Sequence, residues 1–243
     1  MDAPVLLDTP VLQDTLVIDS ATEACSVALL RGGAALAGDW RLLGRGHAEQ
    51  LVPMIAALPH RGRAGRIAVA LGPGSFTGVR VGLAAARALA FAWGAELVGY
   101  PTLALIAAQA RAQVGAVPVT VAITGGHGEW FVAAYDAAGG ETLPLASLTP
   151  EQAVQRAGSE VIAGNQAEAL VQRRGHGTAL DLASDARAFA LLAPAMLTAE
   201  VTPLYGRAPD ARLPGGDRPG GDRPSGDRPG GNRPGGVLPA GAA

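Results

Sequence analysis

The stretch LVIDS (16–20) ends on Asp19, and hydroxyls follow at Ser20 and Thr22. A carboxylate beside hydroxyls at the mouth of a strand is the arrangement that meets a metal-bound phosphate; the plainer reading is a carboxylate capping a hairpin turn. A site that cleaves a phosphate would want a second carboxylate at the matching turn further along, so that metal and phosphate are clamped from both sides. That turn reads Thr124-Gly125-Gly126-His127 and carries none. A second stretch, GPGSFTGVR, comprises Gly72, Pro73, Gly74, Ser75, Phe76, Thr77, Gly78, Val79 and Arg80 and stands between a strand-like and a helix-like run. Its glycines open backbone angles closed to other residues, Ser75 or Thr77 can cap the next helix, and free N–H groups there could hold an anion. The loop lacks the Gly-Lys-Ser/Thr ending of a nucleotide P-loop, so a tight strand-to-helix turn is the leading reading. His47 has no second His or Cys at ligand spacing, which favours a helix-end or surface histidine and leaves no metal site.

The elements that must position these residues follow from periodicity. LVIDS and CSVALLR (25–31) read as a hairpin across ATEA, and AALAGDW (34–40) follows Gly32-Gly33 as a third antiparallel strand. Leu51, Val52, Met54, Ile55 and Leu58 recur at helical spacing over 47–58, and RIAVALG (66–72) returns as a buried strand. A helix over 77–93, a strand over 96–100 and a helix over 102–113 complete this part. VTVAIT (119–124) and EWFVAAYD (129–136) then repeat the opening strand-turn-strand, followed by helix and strand pieces through EVIAGN (160–165). A last helix is expected over 184–200, with Ala186, Phe189, Ala190 and Ala193 on one stripe and Pro194 kinking or ending it. The five-residue repeat GGDRPGGDRPSGDRPGGNRPGG has no apolar side chain with which to offset the entropy of ordering, and is expected to be disordered.

The helix over 77–93 is the most informative element. VGLAAARALAFAW carries only Arg87 as a charge after Arg80, and a helix apolar nearly all round must be covered on more than its sheet side. Gly82, Ala85, Ala86 and Ala90 would let another helix come close; cover within the same lobe and a protein interface stand side by side as readings.

Composition narrows the function classes. A formal charge of −2 supplies no basic field for a nucleic-acid backbone, so contact with RNA would need a partner. All 19 cations are Arg, which removes both the Schiff-base nucleophile and the phosphate-loop lysine. The single cysteine, Cys25, forms no internal disulfide, no apolar run reaches the roughly 20 residues of a membrane helix, and the opening residues lack a signal-peptide pattern. A cytoplasmic protein with no membrane association is expected.

LVIDSATEACSVALL, HAEQLVPMI, GPGSFTGVRVGLAAARALAFAW and VTPLYGRA together resemble the TsaB (YeaZ) family over about residues 15–212. The resemblance implies an α/β, two-lobed actin-like ATPase (sugar kinase/Hsp70/actin) fold, with a first lobe bearing partner-facing helices (15–101), a second lobe (102–183) and a C-terminal helix and return segment (184–213); a flexible N-terminus (1–14) and the disordered Gly/Pro-rich tail (214–243), which is no part of the family pattern, flank it. The resemblance further implies a noncatalytic scaffold required for threonylcarbamoyladenosine modification at position 37 of tRNAs reading ANN codons. Such a subunit pairs with its paralogue TsaD, recruits TsaE, meets tRNA only through the complex, and can be a homodimer when alone. The family reading puts the partner interface at His47, Leu51, Met54, Gly82, Ala85, Ala86 and Ala90, takes the 72–80 loop as its signature, and leaves Asp19, Ser20 and Thr22 as a vestigial phosphate site. Where TsaD carries its His-x-x-x-His metal pair this chain has Thr102 and Ile106, neither able to hold a metal there. No cofactor is implied, and weak nucleotide binding at the lobe or subunit interface stays open. The second-lobe turn departs from the family's Asp-Ala-Arg pattern, with Thr124 and Gly126 at the Asp and Arg positions. A nucleotide-binding regulator and a degenerate kinase- or peptidase-like enzyme are the alternatives.

Overall fold

The computed structural model describes residues 13–206, which lie within one compact unit. The tail expected over 214–243 falls outside the described residues, as does 1–12 of the N-terminal segment. Asp14 corrects the reading of that segment as flexible. It opens β1 (Asp14–Asp19) fully buried, and its carboxylate accepts from Arg31 Nε at 2.6 Å and Nη2 at 2.9 Å. The two residues stand directly opposite in the antiparallel register, so the strand's first residue is held by the last residue of its neighbour.

β1, β2 (Ala24–Arg31) and β3 (Ala34–Leu42) form the expected meander. Gly32 and Gly33, both at positive φ (57° and 83°), make the two-residue turn whose twist matches the flanking strands. β4 (Arg66–Ala70) and β5 (Glu96–Tyr100) add in parallel, giving the order β3-β2-β1-β4-β5. The second sheet repeats this topology with β6 (Val119–Gly126), β7 (Glu129–Tyr135), β8 (Glu141–Leu148), β9 (Val161–Ala163) and β10 (Thr178–Leu180), ordered β10-β9-β6-β7-β8.

Of the helices, α1 (His47–Ala57) and α2 (Phe76–Trp93) cover one side of the first sheet region, while α4 (Pro150–Arg156) and α5 (Ala167–Arg174) serve the second. α3 (Thr102–Val114) is buried from Thr102 through Ala108 and packs on β6, β7 and β9. An apolar helix without a polar stripe suits this central position, where both sides must be covered by protein. One core accordingly runs through both sheets, joining Leu16, Ile18 and Ile67 with Leu105, Val119, Val121 and Tyr135. Alternate residues of β6 and β7, including Ala122, Trp130 and Val132, face a second cluster with Ile162 and Leu170.

The helix expected over 184–200 does not form. Two 3₁₀ turns, Ala186–Leu191 and Pro194–Met196, stand there instead. The backbone is claimed by tertiary partners: Ser184 C=O accepts from Trp40 Nε1 at 3.2 Å, Ala186 N–H donates to Ser26 Oγ at 2.9 Å, and Pro194 offers no N–H to a helix ladder. The chain then returns along the first lobe, with Thr198 bridging Gly99 and Leu204 N–H donating to Leu71 C=O at 2.8 Å.

Candidate functional site

Asp19 ends the central strand β1, where a phosphate-binding carboxylate would sit, yet it is 1% exposed and faces its own chain. Its Oδ2 accepts from the Ser184 hydroxyl and from Tyr100 OH at 3.3 Å, and Oδ1 accepts from Ala21 N–H at 3.1 Å. Ser184 arrives from the return segment and Tyr100 from the end of β5, so three distant pieces of chain converge on one carboxyl. Ser20 and Thr22 are equally committed: Ser20 Oγ donates to Gly78 C=O at 2.9 Å, and Thr22 Oγ1 accepts from Ala24 N–H at 3.3 Å. Of the residues at the ligand spacing, Thr102 and Ile106 are both fully buried. Among the described residues no group of three or more His, Cys, Asp or Glu stands together as a metal site. A metal-bound nucleotide of the actin-like kind therefore does not fit the groups present.

Burial holds the Asp19 carboxyl above its ordinary value of 3.8, outweighing the lowering effect of the Ser184, Ala21 and Tyr100 hydrogen bonds; Asp185 adds a smaller push in the same direction. Tyr100 is raised well above 10.0, by burial first and then by Asp19. The sign of the linkage follows. A carboxyl whose pKa is higher folded than unfolded favours the native state in its protonated form. Its contribution is most favourable below the unfolded value and is lost as pH climbs from there through the folded value. Asp19→Asn, which keeps the shape and removes the charge, is expected to flatten this part of the pH–stability profile and to raise stability at neutral pH relative to the parent. Denaturant unfolding across pH 4 to 8 checks this; a variant that is less stable at every pH contradicts it.

The signature loop is a packing device in this structure. Ser75 caps α2 by accepting from Gly78 N–H at 3.2 Å, and its own N–H donates to Ala21 C=O at 2.6 Å. A Cβ at Gly74 would lie 1.9 Å from the Ala21 carbonyl oxygen, and one at Gly78 would lie 2.2 Å from that of Ser20. The glycines thus let the start of α2 press against the β1–β2 turn. Arg80 lies over the Phe76 ring, 3.1 Å from its centroid, and donates to Tyr205 OH at 2.8 Å; Arg87 donates to Val201 C=O at 2.6 Å. Both arginines staple the return segment onto α2.

The expected interface residues mostly point the other way. Leu51, Met54, Ala86, Ala90 and His47 are buried, and a Cβ at Gly82 would meet Ser20 Oγ at 2.6 Å, so this Gly/Ala face lies on the chain's own sheet. Only Ala85, half-buried, reaches the outer side. The reason is steric: the small residues bring α2 close to β1 and β4, where Ile18 and Val69 lie against Gly82. What α1 and α2 present outward is a groove of about 240 Å³, lined by Val52, Ile55, Ala56, Ala85, Ala88, Leu89 and Trp93, with Arg61 at one side. Val52 is 60% exposed, and Phe91, further round α2, is 92% exposed. Of these positions sequence reasoning reached only Ala85, because a helix apolar all round has no phase to show which side faces solvent.

The family model described as "TsaD: tRNA N6-adenosine threonylcarbamoyltransferase" matches residues 41–180. The tRNA threonylcarbamoyladenosine biosynthesis protein TsaB of Escherichia coli is 39% identical over 125 residues, covering 49% of this chain and 54% of that protein; TsaB of Haemophilus influenzae is 43% identical over 91 residues, covering 35% and 37%. These alignments span about half or less of the curated relatives' length. Among solved structures, YeaZ from Pseudomonas aeruginosa superposes with a TM-score of 0.66 at 30% identity, covering 80% of this chain and all of that one. A Pseudomonas aeruginosa protein described as similar to peptidase YEAZ gives 0.69 at 30% identity, covering 81% and 100%. The fold is the expected two-lobed, actin-like one, and the chain belongs to the TsaB (YeaZ) branch of the family that the threonylcarbamoyltransferase model describes.

Proposed function

We propose that this chain is a noncatalytic scaffold in threonylcarbamoyladenosine modification of tRNA, at position 37 of tRNAs reading ANN codons. It pairs with TsaD through the outer faces of α1 and α2, recruits TsaE to the assembly, contacts tRNA only as part of it, and works in the cytoplasm without a cofactor of its own. The observation that carries this reading is the contrast between two places on one lobe. The cleft carboxylate Asp19 is sealed by Ser184, Tyr100 and Ala21, whereas the α1–α2 groove is open and apolar. A catalytic subunit needs the reverse, with groups free in the cleft. Homodimerisation of the isolated chain would use the same groove until TsaD displaces the second copy. No helix among the described residues is long and apolar enough to cross a membrane.

The purified chain is expected to show no ATP turnover and no tRNA modification alone, and to support modification once TsaD, TsaE and the enzyme that makes threonylcarbamoyl-AMP are added. Reconstitution with labelled threonine reads this out. Steady turnover by the chain alone that disappears in Asp19→Ala would replace the scaffold with an enzyme. Saturable binding of labelled ATP or ADP by the isolated chain would favour the nucleotide-sensing regulator.

A further inference from the structure

The turn after β1 and the end of β6 stand at equivalent positions in the two repeated sheets, and one side chain joins them. Asn165 Oδ1 accepts from Thr124 N–H at 2.9 Å and from the Thr124 hydroxyl at 3.4 Å, while its Nδ2 donates to Glu23 Oε1 at 2.8 Å. Gln166 Nε2 donates to Thr124 Oγ1 at 2.8 Å and braces the same point. Both ends of the bridge are anchored in their own lobes. Glu23 C=O accepts from Leu43 and Gly44 N–H, each at 2.9 Å. On the other side Gly164, at φ 108°, lies so close to the β6 backbone that a Cβ would stand 2.3 Å from Ala122 C=O, and Gln166 N–H donates to that same oxygen at 3.1 Å. Asn165 is therefore presented on a rigid turn, with its acceptor toward one lobe and its donor toward the other.

We infer that the Glu23–Asn165 hydrogen bond is an inter-lobe latch that ties the β1–β2 turn to the end of β6. The chemistry is directional: an amide offers N–H to a carboxylate and C=O to an N–H, and no other side chain of the same shape does both. A hydrogen bond to an ionised carboxylate is stronger than one between neutral groups, which suits a local tie between the rims of two sheets that already share one core. Opening the latch would free the β1–β2 and β6–β7 turns while leaving the α1–α2 groove, on the far side of the first sheet, unchanged. The inference does not depend on the identity of the partner that covers that groove.

Hydrogen exchange on the full chain tests it through a charge swap. Asn165→Asp sets a second carboxylate against Glu23, and exchange in 20–24 and 124–126 is expected to rise about tenfold while α1 and α2 keep their protection. Asn165→Ala should give a smaller rise in the same segments. Adding Glu23→Gln to Asn165→Asp restores a donor opposite the new carboxylate with the polarity reversed, and should bring exchange back to within about threefold of the parent. Unchanged exchange in both single variants would overturn the latch, as would a double variant that exchanges as fast as Asn165→Asp. A uniform rise across both sheets would also overturn it, because Asn165 would then support the whole fold rather than one closure.

Discussion

Gly74→Ala is expected to lower the melting temperature by roughly 6–12 °C, the shift that about 3 kcal/mol produces in a domain of this size. The added methyl would stand 1.9 Å from the carbonyl oxygen of Ala21, which is backbone and cannot swing aside as a side-chain tip would. Relief requires moving either the β1–β2 turn, which Ser75 N–H and the Asp19 hydrogen bonds hold, or the start of α2. Gly78→Ala, 2.2 Å from the Ser20 oxygen, should behave alike. Gly158→Ala is the control, since nothing lies within 4 Å of its Cβ position and its φ is not positive. Thermal melts of the three variants decide the matter: if Gly74→Ala melts with the control, the signature glycines serve something other than this close approach.

The groove prediction separates binding from stability. Phe91→Asp changes a side chain that is 92% exposed, so the monomer's unfolding should be nearly unaltered. If Phe91, exposed on α2 outside the groove itself, anchors a partner, losing the aromatic and adding a charge should weaken pairing with TsaD by roughly 30-fold or more, about 2 kcal/mol. Val52→Asp, at 60% exposure on the facing helix, should act in the same direction. Ala86→Trp makes the opposite case: Ala86 is fully buried against the first sheet, and a bulky residue there should cost folding before it affects association. Titration of TsaD by calorimetry, paired with denaturant melts, reads both quantities. Unchanged affinity in Phe91→Asp and Val52→Asp would place the partner surface elsewhere.

Much of the architecture was legible. The meander in 16–40 showed in alternating apolar residues and the Gly32-Gly33 turn, and the repeat beginning at VTVAIT showed as a second strand-turn-strand. The cap of α2 was narrowed to two residues, of which Ser75 takes the role because its Oγ reaches Gly78 N–H. The last helix was misread because Ala186, Phe189, Ala190 and Ala193 carry helical spacing, while the hydrogen bonds that override it come from Trp40, Ser26 and Gln109, far away in the chain. Propensity is a local quantity and cannot register such competitors.

The candidate sites divide along the same line. That Asp19 stands at a strand end and that a Gly-rich turn opens α2 are consequences of local spacing, and so is the lack of a carboxylate at Thr124 to Gly126. Which atoms seal Asp19 depends on Ser184, 165 residues away, and on Tyr100, 81 away. Which side of α2 meets the sheet depends on how closely β1 and β4 lie beneath Gly82. Residue type and spacing set the menu of groups and their local conformations. Burial, pairing across the lobes and the choice of outward face belong to tertiary structure, because each is a relation between segments whose separation along the chain carries no information about their distance in space.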